Sequence, residues 1–418
     1  MKLVVVGQGY VGLPLAHGAI HAGLDVVGLE VREQTVHNLN SGISHIGDLS
    51  DAELKEMLAR GYSATTDVSV IGTADVVVIC VPTPLGEANS PDLSAVLSAV
   101  GAIAKNLTPS TLVVLESTTY PGTTEDVVLP LLLKSGLQLD VDFSLAFSPE
   151  RIDPGNEKYG LQNTPKVVGG VTLPSTEAAA DFYRRFVEEV VTVKSAREAE
   201  TAKLLENTYR HVNIALVNEM ARFCHDLGID LWDVIRAAST KPFGFQAFYP
   251  GPGVGGHCIP IDPNYLSYEV ERALGYPFRF VELAQEINNG MPRYVVERVQ
   301  ELLNEHERAL KRAKVLLLGV SYKPNILDQR ESPASPIAKL LMSKGASVSY
   351  HDAGISEWEI EGNTLLSVDS LEDALESCDI AILLQAHREY SDADRLAKMA
   401  PLFLDTRGMT HGDSAERL

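Results

Sequence analysis

The sequence has few cysteines and no closely spaced cysteine pair. Its four cysteines are Cys80, Cys224, Cys258 and Cys378, and none forms a CxxC spacing with another. This pattern excludes a disulfide framework and a zinc knuckle, and it suits a reducing cytosol. We therefore expect a cytoplasmic protein without a metal site.

Long apolar runs and an excess of positive charge are also lacking. No stretch reaches about 18 uninterrupted apolar residues, so the sequence predicts no membrane span. The apolar start, MKLVVVGQGYVG, is soon broken by glycine and has no obvious cleavage site, so we expect no signal peptide. Lys and Arg number 35 against 56 Asp and Glu, and the formal net charge of −21 disfavours nucleic acids and anionic membranes as partners.

What the sequence does contain is a glycine-rich turn close to its start. The β-branched run KLVVV predicts a strand buried on both faces, and Gly7, Gly9 and Gly12 follow it before an Ala- and Leu-rich helical stretch. Gly7 permits a tight turn, Gly9 lets a pyrophosphate approach the backbone N–H groups, and Gly12 lets helix and strand pack closely. This strand, turn and helix predict a dinucleotide-binding domain.

The next strand predicts which dinucleotide is bound. The run DVVGLE closes on Glu30, whose carboxylate can accept hydrogen bonds from a ribose diol and would repel a 2′-phosphate. NAD is therefore the predicted cofactor, although Arg32 leaves the 2′-phosphate of NADP as an alternative. Further buried strands are predicted in ADVVVICVPTP, TLVVLEST and FSLAFSPE, and Pro82 and Thr83 end the first of these at the expected cofactor edge.

The C-terminal third repeats this alternation of strands and helices. AKVLLLGVSYKP, ASVSYHD, CDIAILLQAH and LFLDTRG predict four strands of a second doubly wound domain. Lys323 stands where a glycine fingerprint would begin, which indicates an anionic group such as a nucleotide diphosphate. A chain of 418 residues is expected to form two or three domains. We predict an α/β fold with two Rossmann-like domains, 1–193 and 311–418, and a helical middle domain, 194–310.

The middle domain contains a long helical stretch. From about residue 194 more than thirty residues run without proline, which predicts a helix on the order of 50 Å long. Such a helix often joins two domains or pairs with a copy of itself, so we expect a homodimer.

Residues 250–258, PGPGVGGHC, surround one cysteine with glycine and proline. Glycines remove side chains near Cys258 and leave backbone that can line a site and offer N–H groups to a bound oxygen. Asp262 is close enough in the chain to assist the same chemistry. Because the other cysteines stand in apolar segments, Cys258 is the predicted reactive thiol. With a nicotinamide cofactor, such a thiol can carry an aldehyde to an acid through a thioester.

Three further segments offer residues for this chemistry. Glu150 follows a strand, Lys203 and Asn207 are one turn apart on the long helix, and Thr118 follows another strand. Each has a plainer interpretation. Glu150 and Arg151 could form a surface ion pair, the two helix residues could be solvated, and Thr118 could cap a helix.

These motifs occur together in a known family. GQGYVGLP, VPTP, ESTTYPGTT, SPERIDPGN, the Lys203/Asn207 helix, PGPGVGGHCIPIDP and YKPN…QRESP resemble, in order, the UDP-glucose/GDP-mannose dehydrogenases over nearly the whole chain. The family oxidises C6 of a nucleotide-linked hexose twice with NAD, giving the uronate, a precursor of surface polysaccharide or glycolipid. It also implies dimers built on the long helix.

The resemblance implies a role for each candidate residue. Cys258 is the nucleophile, Glu150 the base for thioester hydrolysis, Lys203 and Asn207 stabilise the oxyanion, and Asp262 and Thr118 position water and protons. The implied cofactor-binding residues are Gly7, Gly9, Tyr10, Val11, Gly12, Glu30, Arg32, Pro82, Thr83, Thr118 and Arg330. The implied substrate-binding residues are Glu150, Arg151, Lys203, Asn207, Tyr249, Gly253, Gly255 and Lys323.

The sugar is indicated by two departures from the UDP-glucose pattern. UDP-glucose members have NPE-F-L in place of SPERIDPGN and an arginine where this chain has Pro242, with Lys241 beside it. The motifs resemble most the branch acting on UDP-N-acetylglucosamine or a related UDP-N-acetylhexosamine. UDP-glucose, UDP-N-acetylmannosamine and a single-step hydroxyacid-type dehydrogenase remain alternatives. Leu327 also departs from the family, which usually has an acidic residue or glycine there.

Overall fold

The chain folds into two compact units. The computed structural model describes residues 1–47, 49–86, 90–152, 156, 158–256 and 259–418. Unit 1 comprises Met1–Glu206 and Ile261–Tyr276, and unit 2 comprises Asn207–Pro260 and Pro277–Leu418. Each unit contains a largely parallel sheet with helices, which confirms the predicted α/β class.

Unit 1 is built on a sheet that has eight strands among the described residues, in the order β3-β2-β1-β4-β5-β6-β7-β8. The strands are β1 Lys2–Val6, β2 Asp25–Leu29, β3 Ser63–Thr65, β4 Val76–Ile79, β5 Thr111–Leu115, β6 Phe143–Phe147, β7 Lys166–Gly170 and β8 Val190–Thr192. Neighbours are parallel except β6 and β7, which are antiparallel. The order of the first six strands is the doubly wound arrangement, in which the direction of winding reverses between β1 and β4.

Helices cover both faces of this sheet. They are α1 Gly12–His21, α2 Glu33–Asn40, α3 Asp51–Ala59, α4 Ser94–Asn106, α5 Leu129–Leu132 and α6 Leu173–Tyr183. The core has two halves because alternate residues of β1 point to opposite faces: Leu3 and Val5 pack in one half, Val4 and Val6 in the other. The predicted two-sided burial of KLVVV is confirmed.

The long helix α7 spans Ala196–Asp226, 31 residues, and confirms the predicted unbroken helix. The boundary between the units falls within it. The next helices are α8 Leu231–Ala238, α9 Asp262–Leu274, which belongs to unit 1, and α10 Arg279–Glu305. Among the described residues, no helix combines the length and apolar character needed to cross a membrane.

Unit 2 carries the second sheet, ordered β10-β9-β13-β14-β15 and parallel throughout. Its strands are β9 Lys314–Leu318, β10 Ser347–His351, β13 Ile380–Leu383, β14 Phe403–Asp405 and β15 Glu416–Arg417, and an antiparallel hairpin joins β11 Glu357–Ile360 to β12 Asn363–Leu366. Its remaining helices are α11 Ala334–Ser343, α12 Leu371–Ser377 and α13 Ala393–Met399. The four strands predicted here are confirmed.

Candidate active site

The glycine turn after β1 has the geometry that its three glycines predict. Gly7 has φ +92°, and a Cβ there would lie 2.6 Å from the Cys80 carbonyl oxygen. A Cβ on Gly12 would lie 1.9 Å from the Gly7 oxygen, so only glycine fits at the start of α1. At Gly9, no described atom lies within 4 Å of an added Cβ. The turn therefore leaves open space at the helix N-terminus, where a pyrophosphate can bind backbone N–H groups.

Glu30 is fixed beside this turn. Its carboxylate is 8% exposed and accepts hydrogen bonds from the backbone N–H groups of Gln8, Val31 and Arg32, at 3.2, 3.0 and 3.2 Å. The Arg32 side chain is 76% exposed, and its Nε lies 3.9 Å from Glu30 Oε1. A fixed carboxylate at the end of β2 fits a ribose diol, as expected for NAD.

The segments after β4 and β5 lie along the same edge, because the carboxyl ends of parallel strands meet there. Pro82 is exposed and Thr83 half-buried, and the Thr83 oxygen accepts a hydrogen bond of 2.8 Å from the buried Tyr265 hydroxyl of α9. Thr118, half-buried, follows β5. The described residues place no helix start at Thr118, so the capping interpretation is wrong.

Glu150 and Lys203 are in contact although 53 positions separate them in the chain. Lys203 Nζ donates to the Glu150 main-chain oxygen at 2.6 Å, and Glu150 Oε1 accepts from the N–H groups of Arg151 and Ile152 at 2.6 and 2.5 Å. The Arg151 guanidinium pairs with Glu206 at 2.7 Å. The suggested surface ion pair between Glu150 and Arg151 is therefore wrong.

A buried charged cluster behind Glu150 was not predicted. Lys166 Nζ lies 3.0 Å from Glu116 Oε1 and 3.5 Å from Glu150 Oε2, and the Tyr183 hydroxyl donates to Glu116. Burial raises the pKa of Glu116, and the Lys166 ammonium opposes that rise. Burial also opposes the charge on Lys166, but the two carboxylates outweigh it and raise the pKa of Lys166. The only available sequence signal was a lysine opening an otherwise apolar strand, in PKVVGG.

Two further predicted residues are buried. Asn207 follows Lys203 by one helical turn and is 5% exposed, so it is not on a solvated face. Asp262 is 3% exposed in the first turn of α9. Both make interactions and neither lies idle at the surface.

In unit 2, the glycine-rich loop packs against residues 321–333. Gly251 N–H donates to Asn218 Oδ1 at 2.9 Å. A Cβ on Gly255 would lie 2.7 Å from the Glu331 oxygen, and one on Gly256 would lie 2.8 Å from the Tyr322 ring. Close packing thus requires these glycines, a reason that sequence analysis did not identify. His257 and Cys258, the predicted nucleophile, lie outside the described residues.

The segment that packs on this loop carries Lys323 and Arg330. Lys323 is half-buried, and the Arg330 guanidinium binds both oxygens of Asp328, at 2.9 and 2.7 Å. Leu327, which departs from the family pattern, is exposed.

An aromatic side chain, Tyr249, and a basic side chain, Arg407, border the glycine-rich loop. Tyr249 stacks on Trp232, with ring centroids 5.8 Å apart. Arg407, which sequence analysis missed, donates from Nε to the Leu384 oxygen at 2.7 Å, and a Cβ on Gly251 would lie 3.0 Å from its Nη1. Its position after β14, in LDTRG, was the available signal.

No group of three or more His, Cys, Asp or Glu side chains in the described part of the chain could hold a metal ion.

Comparison with known proteins covers almost the entire chain. Residues 1–187 match the NAD binding domain of the UDP-glucose/GDP-mannose dehydrogenase family, residues 197–290 its central domain, and residues 316–412 its UDP binding domain. The chain belongs to this family. It is an NAD-dependent nucleotide sugar dehydrogenase, and the predicted family, cofactor and enzyme class are confirmed.

Individual members of the family differ in the sugar they are named for. The chain is 34% identical to UDP-N-acetyl-D-mannosamine dehydrogenase of Pyrococcus horikoshii over 94% of this chain and 91% of that protein. It is 36% identical to UDP-N-acetyl-D-glucosamine 6-dehydrogenase of Pseudomonas aeruginosa, over 85% and 83%. The solved structure of a Pyrococcus horikoshii UDP-D-ManNAc dehydrogenase, 32% identical, superposes with a TM-score of 0.90 over 100% of this chain and 99% of that one.

Proposed function

We propose that this dehydrogenase oxidises C6 of a UDP-N-acetylhexosamine to the uronic acid in two successive NAD-dependent steps. The observation that carries the proposal is the contact between Lys203 and Glu150, because it unites two residues to which the family assigns the acyl-transfer chemistry. The open turn at Gly9 and the fixed Glu30 carboxylate support NAD as the hydride acceptor.

The proposed reaction passes through a thioester on Cys258. Bound NAD would supply the oxidant for both steps, one hydride leaving the alcohol and one leaving the thiohemiacetal that the Cys258 sulfur forms with the aldehyde, while the hydroxyl proton of each leaves to water. In the last step Glu150 takes a proton from water, the water oxygen bonds to the thioester carbon, and the C–S bond breaks with its electrons on sulfur. Lys203 and Asn207 stabilise the oxyanion, and Asp262 and Thr118 position water and protons.

We assign these tasks to three regions of the chain. Residues 1–193 bind NAD, using Gly7, Gly9, Tyr10, Val11, Gly12, Glu30, Arg32, Pro82, Thr83 and Thr118. Residues 194–310 carry the helix α7 and the cysteine loop. Residues 311–418 bind the UDP group through Lys323 and carry Arg330, which we assign to cofactor binding. Arg151, Tyr249, Gly253 and Gly255 complete the proposed substrate contacts. The matched family domains, 1–187, 197–290 and 316–412, support this division.

Two sugars are the candidates. The motifs SPERIDPGN and Pro242 favour UDP-N-acetylglucosamine over UDP-glucose. The names of several relatives, including the Pyrococcus horikoshii protein, favour UDP-N-acetylmannosamine as the second candidate. Both sugars carry a 2-acetamido group, and we propose that the enzyme recognises this group. The product would serve as a precursor of a surface polysaccharide or glycolipid.

The test is the NADH yield on a panel of UDP-N-acetylglucosamine, UDP-N-acetylmannosamine, UDP-N-acetylgalactosamine, UDP-glucose and GDP-mannose. We expect two NADH per uronate with a UDP-N-acetylhexosamine and no free aldehyde, and Cys258→Ser should lose acid formation. The larger kcat/KM decides between the two candidate sugars. One NADH per sugar, or turnover restricted to UDP-glucose, would contradict the proposal.

We further propose that the enzyme is a homodimer formed through α7. Four apolar side chains, Tyr209, Leu216, Phe223 and Leu227, are 46%, 54%, 45% and 67% exposed. Tyr209, Leu216 and Phe223 are seven residues apart and therefore lie on one face of α7, as a seam between two copies of this helix requires, and Leu227 directly follows the end of the helix.

The homodimer is tested by the molar mass in solution. Leu216→Glu with Phe223→Glu should give a monomer in multi-angle light scattering, whereas Leu97→Glu, at an exposed site of α4, should leave the dimer intact. A wild-type monomer at micromolar concentration would refute the proposal. The three cysteines in the described part of the chain, Cys80, Cys224 and Cys378, are free, which supports a cytoplasmic location, where thiols stay reduced.

A further inference from the structure

One buried charge near the proposed active site has no role in the chemistry above. Lys166 opens β7, and its side chain is 4% exposed. Removing an ammonium group from water is strongly unfavourable, and a buried lysine is tolerated only when it is paired and hydrogen-bonded. Lys166 is paired on two sides, with Glu116 of the β5 end and with Glu150.

Lys166 completes the hydrogen bonding of the Glu150 carboxylate. The N–H groups of Arg151 and Ile152 both donate to Oε1 of Glu150, so these two hydrogen bonds do not fix the position of Oε2. Lys166 Nζ, at 3.5 Å, restrains Oε2. Both oxygens are therefore oriented, and a positive charge lies next to the carboxylate.

The other end of Lys166 is itself held in place. Glu116, which is 1% exposed, lies 3.0 Å from Nζ and also accepts the hydrogen bond of the buried Tyr183 hydroxyl. The ammonium group lies 5.1 Å from the centroid of the Tyr183 ring. Because β5, β7 and α6 supply these contacts, the ammonium group has little freedom to follow Glu150 if that side chain moves.

The elements packed around Lys166 and Glu150 also carry other charged or titratable groups. From α7 comes Lys203, which binds the Glu150 main chain and not its carboxylate. Arg151 directs its guanidinium to Glu206 and to the Pro165 oxygen. The remaining groups around Lys166 are Cys80, Glu116 and Tyr183. Among the described residues, Lys166 is thus the cation bound to the Glu150 carboxylate.

We propose that Lys166 is a positioning residue, which holds the Glu150 carboxylate oriented and charged for hydrolysis of the Cys258 thioester. This inference rests on the proposed role of Glu150. It predicts that loss of Lys166 slows only the step in which Glu150 takes the proton from water. The two hydride transfers do not need that carboxylate and should continue.

The experiment follows the thioester by rapid quenching and intact-protein mass spectrometry, with NAD and a UDP-N-acetylhexosamine. Lys166→Met and Glu150→Gln should both show a burst of NADH and an accumulated acyl adduct that decays about 10²-fold more slowly than in the wild type. Lys166→Arg, which keeps the charge, should recover most of the decay rate. Lys134→Met, at an exposed lysine of the same unit, is the control and should match the wild type.

The pH dependence separates positioning from general damage to the fold. The acidic limb of the adduct decay rate should move to higher pH by at least about one unit in Lys166→Met, because a cation next to the carboxylate is gone. If this variant lacks a cooperative thermal transition, Glu116→Gln decides instead. Glu116→Gln removes the carboxylate that competes with Glu150 for Lys166, so the acidic limb of the adduct decay rate should move to lower pH in this variant.

The possible failures are distinguishable. Adduct decay in Lys166→Met within threefold of the wild type, with slow decay in Glu150→Gln, overturns the role of Lys166 alone. The role of Lys166 is also overturned if the acidic limb does not move in the variant used for the pH test, Lys166→Met or, if that variant is unfolded, Glu116→Gln. Normal decay in Glu150→Gln overturns the proposed role of Glu150, and no acyl adduct in any variant overturns the thioester route.

Discussion

Gly9, at the centre of the glycine turn, allows a test that separates the affinity for NAD from the stability of the fold. A Cβ at Gly9 would meet no described atom within 4 Å, so Gly9→Ala should change the free energy of unfolding by no more than about 0.5 kcal/mol. The same methyl group would occupy the space that a pyrophosphate needs against the backbone. We expect the dissociation constant for NAD to rise by about 10- to 100-fold, or about 1.4 to 2.8 kcal/mol.

Two other glycines provide the controls for Gly9→Ala. A Cβ on Gly12 would lie 1.9 Å from the Gly7 oxygen, so Gly12→Ala should unfold the turn and lower stability by several kcal/mol. Gly101 lies inside α4 with no described atom within 4 Å of an added Cβ. Gly101→Ala should leave NAD binding unchanged and stabilise the helix by about 0.5 to 1 kcal/mol.

The assay for these glycine variants combines calorimetric titration with NAD and urea unfolding of the same samples. If Gly9→Ala bound NAD as tightly as the wild type, the pyrophosphate would not lie against this turn. Loss of stability equal to that of Gly12→Ala would show that Gly9 has a packing role that its open surroundings do not reveal.

Three further variants test other parts of the structure. Glu30→Gln should weaken NAD binding about tenfold and reduce discrimination against NADP, measured by titration with each cofactor, because the carboxylate that repels a 2′-phosphate is gone. Burial lowers the pKa of His211 from 6.5 to about 4, so the unfolded chain takes up a proton that the folded chain does not, and stability is lost as pH falls from 6.5 towards 4. The loss reaches about 3 kcal/mol near pH 4, and His211→Gln should remove it in urea titrations at pH 7 and 4.5; an unchanged pH slope would contradict this. Ser50→Ala removes a capping box with Glu53 and should cost about 1 kcal/mol by thermal unfolding without altering NAD affinity.

The parts of the fold that could be predicted are those with a strong local signal. β1, β4, β5 and β9 each contain a run of four apolar residues, because strands covered on both faces need no polar side. The turn after β1 was predictable because glycine spacing reports backbone geometry directly. The 31-residue α7 followed from the absence of proline.

The missed strands lack such a signal. β7, KVVGG, has only two apolar side chains before its two glycines, whereas β1 and β9 have four after the same leading lysine, so its composition is not typical of a buried strand. β12 has mostly exposed residues and is held by pairing with β11, whose Trp358 packs on Tyr350. Tertiary contacts, and not local preference, determine these strands.

The candidate site divides in the same way. Glu150 and Lys203 were found because they follow a strand end and lie on a marked helix, although their contact spans 53 residues. Lys166 and Glu116 were missed because an isolated charge in a sequence is most often solvated. Their burial depends on β5 and β7 being two strands apart in the sheet, and spacing along the chain does not report that.

Unit 1 is discontinuous in sequence, because residues 207–260 of unit 2 separate its two segments. The second segment of unit 1, Ile261–Tyr276, supplies α9, and its fully buried Tyr265 binds the Thr83 oxygen. A ribosome that has released only the first 206 residues has therefore not yet provided the last helix of unit 1, and this unit can be completed only after residue 276 has been made. A gene exchange that transfers this part between relatives must carry two separate stretches of coding sequence, and a single crossover would leave it without its last helix.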